Sequence, residues 1–352
     1  MNRLERLRER LAGEGPGALL VSGAENRHYL SGFIGDGFLL ITPSRTVLAT
    51  DFRFTEQAKA QAPLFEVVEV RGEPQQWLPG LVSGMGSDSL GFEALGLTVA
   101  THQKIEQALS QADGSPRLVP TEGVVESLRV VKETGEVEPL TRAAALADAA
   151  LAHARELARP GMTEAELAWE IEKFLREGGS ATPPFELIVA SGPNSALPHA
   201  RPAERPISPG EPVVIDFGAR VGGYASDITR TLCLGEPDGR FRELYPLVLR
   251  AQEAALSGIR PGMTGEEADA LARCVIEEAG YGHAFGHGLG HGVGLATHEE
   301  PRLGPGSSTV LKAGMVFTVE PGVYLPGWGG IRIEDMALLT DSGPRLLTRS
   351  PK

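Results

Sequence analysis

Cysteine is nearly absent from this chain of 352 residues: there are two, Cys233 and Cys274, and no C-x-x-C pair. Without that spacing a zinc ribbon and a dithiol redox motif are excluded. Both cysteines have apolar neighbours (Thr231-Leu232-Cys233-Leu234 and Arg273-Cys274-Val275-Ile276) and read as buried free thiols in a reducing cytoplasm. Positive charge is also scarce, with 33 Lys and Arg against 46 Asp and Glu and a formal net charge of −13. A nucleic-acid or anionic-membrane surface needs the opposite balance to neutralise phosphates, so neither partner is expected. No apolar run approaches the ~18 residues of a membrane-spanning helix. The stretch Asn2-Arg3-Leu4-Glu5-Arg6-Leu7 carries charge where an export signal needs an apolar segment, which makes the expected location cytoplasmic. Two motifs are missing as well. No G-K-[ST] phosphate loop occurs, and His298-Glu299-Glu300-Pro301-Arg302 lacks the second histidine of H-E-x-x-H, so a single-zinc protease is excluded.

What is present suits a two-domain globular protein. Hydrophobic content of 41% and charged content of 22% sit near globular averages, and the length exceeds one ordinary core. Leu4, Leu7 and Leu11 fall on one helical stripe and predict a first surface helix. Within residues 1–121, Ala18-Leu19-Leu20-Val21, Phe38-Leu39-Leu40-Ile41, Thr46-Val47-Leu48-Ala49 and Phe65-Glu66-Val67-Val68-Glu69-Val70 are strand candidates separated by turn residues. This half reads as a mixed α/β domain with little chemistry. Its His28 and His102 are isolated, as is His153 further on, and all three are assigned to surface or core. Residues 122–131 form a boundary, with a short apolar link from Val124 to Val131. A second domain, 132–352, opens with an Ala-, Leu- and Glu-rich helix over Glu136–Leu157.

The second domain contains a repeat. Arg159-Pro160-Gly161-Met162-Thr163 recurs as Arg260-Pro261-Gly262-Met263-Thr264. In each copy a threonine precedes a helix and a glutamate follows three residues later (Thr163 with Glu166, Thr264 with Glu267), the pattern of a capping box. Further on, the stretch Ile207 to Gly218 aligns without a gap with Leu311 to Gly322: turn, apolar strand, carboxylate, glycine. A second strand then follows in each copy, Tyr224 to Leu234 carrying Asp227 and Gly330 to Leu339 carrying Glu334. Asp216 and Asp227 thus correspond to Glu320 and Glu334, and His199 and His298 precede the two pairs in the same order.

A repeat of this kind places matching residues around a pseudo-twofold axis, where four carboxylates would converge. They cannot all stay ionised in a dry site unless cations neutralise them. Carboxylate-rich ligation with one imidazole suits manganese, cobalt or zinc. The imidazole candidate is His291, in Gly286-His287-Gly288-Leu289-Gly290-His291-Gly292-Val293-Gly294, where alternate glycines let the backbone pass close to packed neighbours. Asp335 would face away from Glu334 and serve structure, while Arg332 would share the face of Glu334 and orient that carboxylate.

The order Asp216, Asp227, His291, Glu320, Glu334, with the G-H-G-x-G-H-G-x-G segment and the T-x-E-P-G strand, resembles the pita-bread metallopeptidases. These include prolidases, Xaa-Pro aminopeptidases and methionine aminopeptidases. The resemblance covers essentially the whole chain and implies an α+β protein: a pita-bread catalytic domain with an internal pseudo-twofold repeat, preceded by a mixed α/β creatinase/prolidase-type amino-terminal domain. It implies two divalent metal ions per chain, Mn2+ first and Co2+ or Zn2+ as alternatives. Asp216 would chelate one, His291 and Glu320 the other, and Asp227 and Glu334 would bridge them, with the attacking water between. Glu320 would shuttle the proton to the leaving nitrogen. His298 and His199 would steady the tetrahedral intermediate and substrate carbonyl, and His287 would line the pocket for the residue after the cut. Arg302 would meet the free carboxylate of a dipeptide. The implied activity is Xaa-Pro dipeptidase, with Xaa-Pro aminopeptidase as the alternative and an inactive peptide-binding relative as a third reading. A homodimer is implied, with a small peptide as substrate.

Overall fold

In the computed structural model, which describes residues 2–83, 85–112 and 114–352, the chain parts into two units between Arg129 and Val130. The first unit carries strands β1 (Ala18–Val21), β2 (Phe38–Ile41), β3 (Thr46–Thr50), β4 (Glu66–Glu69), β5 (Ser89–Glu93) and β6 (Arg117–Thr121). They form one mixed sheet in the order β4-β3-β2-β1-β5-β6. Helices α1 (Arg3–Glu14), α2 (Ala24–Ser31), α3 (Thr55–Gln61), α4 (Pro74–Val82), α5 (Val99–Ser110) and α6 (Glu126–Arg129) alternate with the strands. The stripe on α1 buries Leu4, Leu7 and Leu11, each contributing about 1.5–3 kcal/mol when fully withdrawn from water. The four expected strands are present. The two that the pattern did not announce are β5, interrupted by Gly91, and β6, which holds Pro120 at the sheet edge, where a missing N–H is tolerated.

The stretch 122–131 is folded. α6 lies within it, and Asn26 ties it to the first unit: its Nδ2 donates to Glu126 Oε1 at 2.6 Å, and its Oδ1 accepts from Arg129 Nη1 at 2.7 Å.

The second unit opens with α7 (Thr134–Leu157) and α8 (Glu164–Glu177), followed by β7 (Ile188–Ser191), β8 (Pro212–Phe217), β9 (Arg220–Val221), β10 (Tyr224–Ala225) and β11 (Ile228–Cys233). The pattern then recurs: α9 (Gly239–Gly258), α10 (Gly265–Glu278), β12 (Gly290–Gly292), β13 (Glu299–Leu303), β14 (Val316–Val319), β15 (Gly322–Leu325), β16 (Gly329–Arg332), β17 (Asp335–Thr340) and β18 (Gly343–Leu346). A three-stranded sheet, β11-β8-β7, belongs to the first copy and a five-stranded sheet, β13-β12-β14-β17-β18, to the second.

The repeat is visible bond by bond. Gly161 and Gly262 adopt φ of +88° and +97°, a left-handed conformation that favours glycine. Gly161 N donates to Ile207 O and Gly262 N to Leu311 O, both at 2.8 Å. Thr163 and Thr264 each close a capping box with the glutamate three residues on. Behind each copy lies its own core: Leu167, Ile171 and Leu175 with Val213 and Ile215 in one, Ala272 and Ile276 with Phe317 and Val319 in the other.

Two expectations need correction. The stretches Tyr224–Leu234 and Gly330–Leu339 are not continuous strands: each breaks at its carboxylate, Asp227 between β10 and β11, Glu334 between β16 and β17. At the second break the backbone leaves its own sheet, and Glu334 N donates across the copies to Thr229 O at 3.0 Å. The cysteines are not both buried, for Cys274 is exposed and Cys233 only partly covered. Ala268, Ala272 and Ile276 form the inward stripe of α10, so apolar neighbours in sequence do not share a face with Cys274.

The glycine segment shows why side chains are excluded near His291. A Cβ on Gly290 would lie 2.1 Å from Thr318 O, and one on Gly292 2.1 Å from Glu300 O, whereas one on Gly286 would meet nothing within 4 Å. Gly286→Ala is therefore expected to leave the thermal unfolding midpoint almost unchanged. Gly290→Ala should cost about 1–3 kcal/mol by overpacking against backbone. Equal midpoints for the two variants would contradict the close approach.

Candidate metal centre

All ten residues singled out in the sequence line one cavity of ≈470 Å3: Asp216, Asp227, His291, Glu320 and Glu334, together with His199, His287, His298, Arg302 and Arg332. The elements deliver them differently. Asp216 sits inside β8, opposite Thr229 on β11 and Ile188 on β7. Glu320 follows the last residue of β14, and its N–H donates to Leu289 O at 2.8 Å. Asp227 and Glu334 occupy the two strand breaks, which frees their side chains from the alternation of a ladder. His291 lies mid-strand on β12, opposite Arg302 on β13.

Donor atoms of Asp227, His291 and Glu334 all fall within 4.8 Å of one another. His291 Nε2 is 3.6 Å from Asp227 Oδ2 and 3.4 Å from Glu320 Oε1. Its Nδ1 lies 3.1 Å from Gly292 O, so Nδ1 carries the hydrogen and the Nε2 lone pair faces the carboxylates. Burial lowers the pKa of His291 and keeps the ring neutral, as a ligand requires.

The carboxylates are under electrostatic stress. Burial first, then Glu334, Asp216 and Glu320, push the Asp227 pKa well above its ordinary value. Burial, then Glu320 and Asp216, do the same to Glu334. Glu320 is raised chiefly by burial. Asp216 Oδ1 is buried without a hydrogen-bond partner. An oxygen left bare beside three acidic groups that resist ionisation, with a neutral imidazole turned toward them, is a donor set that fits divalent cations.

Hydrogen bonds outside this set hold it in place. Arg332 Nη2 donates to Asp216 Oδ2 at 2.6 Å, Nη1 to Tyr324 Oη at 2.7 Å and Nε to Thr229 Oγ1 at 3.1 Å. Arg332 was expected to orient Glu334; it clamps Asp216 instead. The strand ends at Arg332, so the alternate-residue rule that placed it beside Glu334 does not carry across the break. Thr229 Oγ1 takes the Glu334 role, donating to Oε2 at 2.5 Å. Thr318 Oγ1 donates to Glu320 Oε1 at 3.0 Å and accepts from His291 N at 3.0 Å. Burial opposes the charge of Arg332, but Tyr324, Asp216 and Glu320 outweigh it and hold its pKa above the ordinary arginine value. Burial lifts the Tyr324 phenol to about 12. Its oxygen lies 2.9 Å from His287 Nε2, linking the Asp216 clamp to that histidine. Desolvation, then the neighbouring His291, drops His298 to about 4, and the two rings lie 4.1 Å apart.

Tyr324, Thr229 and Thr318 were missed from sequence. Threonine and tyrosine inside strands are too common to stand out, and only cross-strand proximity reveals them. Among the described residues no helix is long and apolar enough to cross a membrane.

Known proteins resemble this chain over its full length. Residues 138–341 match Metallopeptidase family M24, and residues 3–131 match the Creatinase/Prolidase N-terminal domain. The chain is 36% identical to the Xaa-Pro dipeptidase of Pyrococcus furiosus, covering 99% of this chain and 98% of that protein. The structure of an Xaa-Pro dipeptidase from Bacillus anthracis superposes with a TM-score of 0.95 at 44% identity, over 99% of this chain and 98% of the other. An X-Pro aminopeptidase from Thermotoga maritima superposes with a TM-score of 0.91 at 37% identity, over 100% and 98%.

A carboxyl whose pKa is raised by folding adds stability below its unfolded pKa and loses that contribution as pH climbs through the folded value. With Asp227 and Glu334 both raised above 3.8 and 4.5, the metal-free protein should lose thermal stability as pH rises from the ordinary carboxylate range toward neutrality. Mn2+ should abolish that loss and release protons on binding. Fluorimetric melts across pH, and calorimetric titration in buffers of different ionisation enthalpy, read both effects. A flat stability profile without proton release would contradict the coupling.

Proposed function

The chain belongs to metallopeptidase family M24, with a creatinase/prolidase amino-terminal domain, and from that premise we propose that it hydrolyses the bond between a first residue and a following proline, acting on Xaa-Pro dipeptides. The observation that carries this reading is Arg302 on the same cavity wall as His291, in a chain related over its full length to an Xaa-Pro dipeptidase. A guanidinium at that position suits the free carboxylate of a two-residue substrate through paired hydrogen bonds. Proline makes the scissile bond a tertiary amide with no N–H, so a site that grips through side chains rather than through that donor is chemically apt.

In this reading residues 132–352 form the catalytic domain and residues 1–121 the amino-terminal domain, with 122–131 between them. Asp216 would hold one cation and His291 and Glu320 the other, and Asp227 and Glu334 would be shared by both. When bound, two divalent cations, Mn2+ foremost with Co2+ or Zn2+ as alternatives, would supply Lewis acidity and bring the pKa of water toward neutrality. Glu320 takes the proton from the attacking water and delivers it to the proline nitrogen, which cannot depart as an anion. His298, neutral because its pKa lies near 4, offers one N–H to the developing oxyanion, with His199 beside the substrate carbonyl. His287, fixed by Tyr324, borders the proline subsite. Arg332 keeps Asp216 oriented.

The similarity to an X-Pro aminopeptidase over the full chain favours a second reading, action on longer peptides. An inactive peptide-binding relative is disfavoured, because all five candidate ligand residues are present. We place the protein in the cytoplasm, where its two thiols stay reduced, as a homodimer.

Glu320→Gln keeps the shape of the side chain but removes its proton chemistry. Turnover should fall at least about 10²–10⁴-fold, with Mn2+ still bound in part; a near-wild-type rate would remove the shuttle. Arg302→Ala should raise KM for Xaa-Pro far more than for Xaa-Pro-Xaa. Equal losses on both substrates, or faster wild-type turnover of the tripeptide, would move the assignment to aminopeptidase.

A further inference from the structure

Arg230 is fully buried, at 1% exposure, yet does not line the cavity. Its Nη1 donates to the main-chain oxygens of Thr229, at 2.9 Å, and of Glu334. Its Nη2 donates to Asp335 Oδ1 and to Ser350 O, both at 2.7 Å, and its Nε to Pro351 O at 3.2 Å. Asp335 in turn accepts from Thr348 Oγ1 at 2.9 Å and Gln252 Nε2 at 3.2 Å, and pairs with Lys352 Nζ at 3.0 Å. Gln252 Nε2 also reaches Val319 O at 3.1 Å. One buried hub therefore grips the main chain at Glu334 and at the residue before Glu320.

That grip matters because Glu334 lies in the gap between β16 and β17. Its carbonyl has an arginine where a strand residue would have a ladder partner. Fixing a backbone is a task that a freely rotating side chain does not perform, and burying arginine costs hydration that a packed apolar side chain would not lose. The hub is held in turn by the segment Thr348–Lys352, which is anchored away from the cavity. Asp148 on α7 accepts from Arg349 N at 2.8 Å, Ser350 N at 2.8 Å and Ser350 Oγ at 2.7 Å, and Arg155 Nη2 donates to Pro351 O at 2.5 Å.

We infer that Arg230, Asp335 and the segment Thr348–Lys352 form a clasp that positions Glu334 and Glu320 for metal binding, so that residues remote from the cavity set the affinity and coordination of the centre. The inference rests on the dinuclear metallopeptidase reading.

The test leaves Arg230 and the cavity intact and loosens the segment, with the double variant Asp148→Ala/Lys352→Met. Calorimetric affinity for Mn2+ should fall about 10–100-fold, the range for partners that support ligands. The visible absorption of the Co2+-loaded protein should change, and kcat on an Xaa-Pro dipeptide should drop with KM within twofold. If Mn2+ affinity and the Co2+ spectrum match wild type, the inference is overturned, even where the melting temperature falls, since the segment then serves stability alone. Should the double variant fail to fold, Lys352→Met by itself is read against the same outcomes. A wild-type protein that binds no Mn2+ and cleaves no Xaa-Pro peptide overturns the functional reading itself; wild-type competence with unaltered variants overturns only the clasp.

Discussion

Asp216, Asp227, Glu320 and Glu334 share one small cavity, and what surrounds them answers to their mutual repulsion. Two unit charges about 4 Å apart repel by about 4 kcal/mol at an effective dielectric of about 20. Several such pairs would rival the whole stability of a folded domain, about 5–15 kcal/mol. The carboxyls of Asp227, Glu320 and Glu334 accordingly resist ionisation, and the guanidinium of Arg332 is committed to Asp216, Tyr324 and Thr229. A centre built this way is incomplete without cations. On the proposed reading, bound divalent cations would both neutralise this cluster and activate water.

Delivering four carboxylates to one place requires backbone that departs from regular structure in a controlled way. Both copies of the repeat interrupt a strand at the critical residue, Asp227 in one and Glu334 in the other, and the freed backbone N–H and C=O of Glu334 find partners in Thr229 and Arg230. His291 arrives by a different route. Its strand is flanked by glycines whose missing Cβ atoms let it lie against Thr318 and Glu300. The imidazole can thus stand within 3.6 Å of two carboxylate oxygens without displacing either.

The pseudo-twofold relation explains the economy of the arrangement but not its finish. Capping boxes and glycine turns are duplicated faithfully. The groups that hold the carboxylates cross between copies instead: Arg332 of the second orients Asp216 of the first, Thr229 of the first holds Glu334 of the second, and Arg230 of the first takes the Glu334 carbonyl. Duplication supplies the carboxylates, while cross-bracing between copies sets their geometry.

Much of this was legible in the residues alone. The duplicated Arg-Pro-Gly-Met-Thr segments, the apolar runs ending in Asp216 and Glu320 and the glycine-spaced His291 follow from local rules of capping, strand burial and backbone freedom, which a linear pattern records directly. So did four of the six amino-terminal strands; β5 and β6, with Gly91 and Pro120, carry weak local signals and form only because neighbouring strands accept them. What tertiary structure alone decided is the network of second contacts. The strand breaks at Asp227 and Glu334, the partnership of Arg332 with Asp216, the roles of Tyr324 and Thr229 and the outward turn of Cys274 depend on which atoms become neighbours after folding. Hydrogen bonds and charge repulsion act over a few ångströms of space, irrespective of distance along the chain, so no pattern of spacing encodes them.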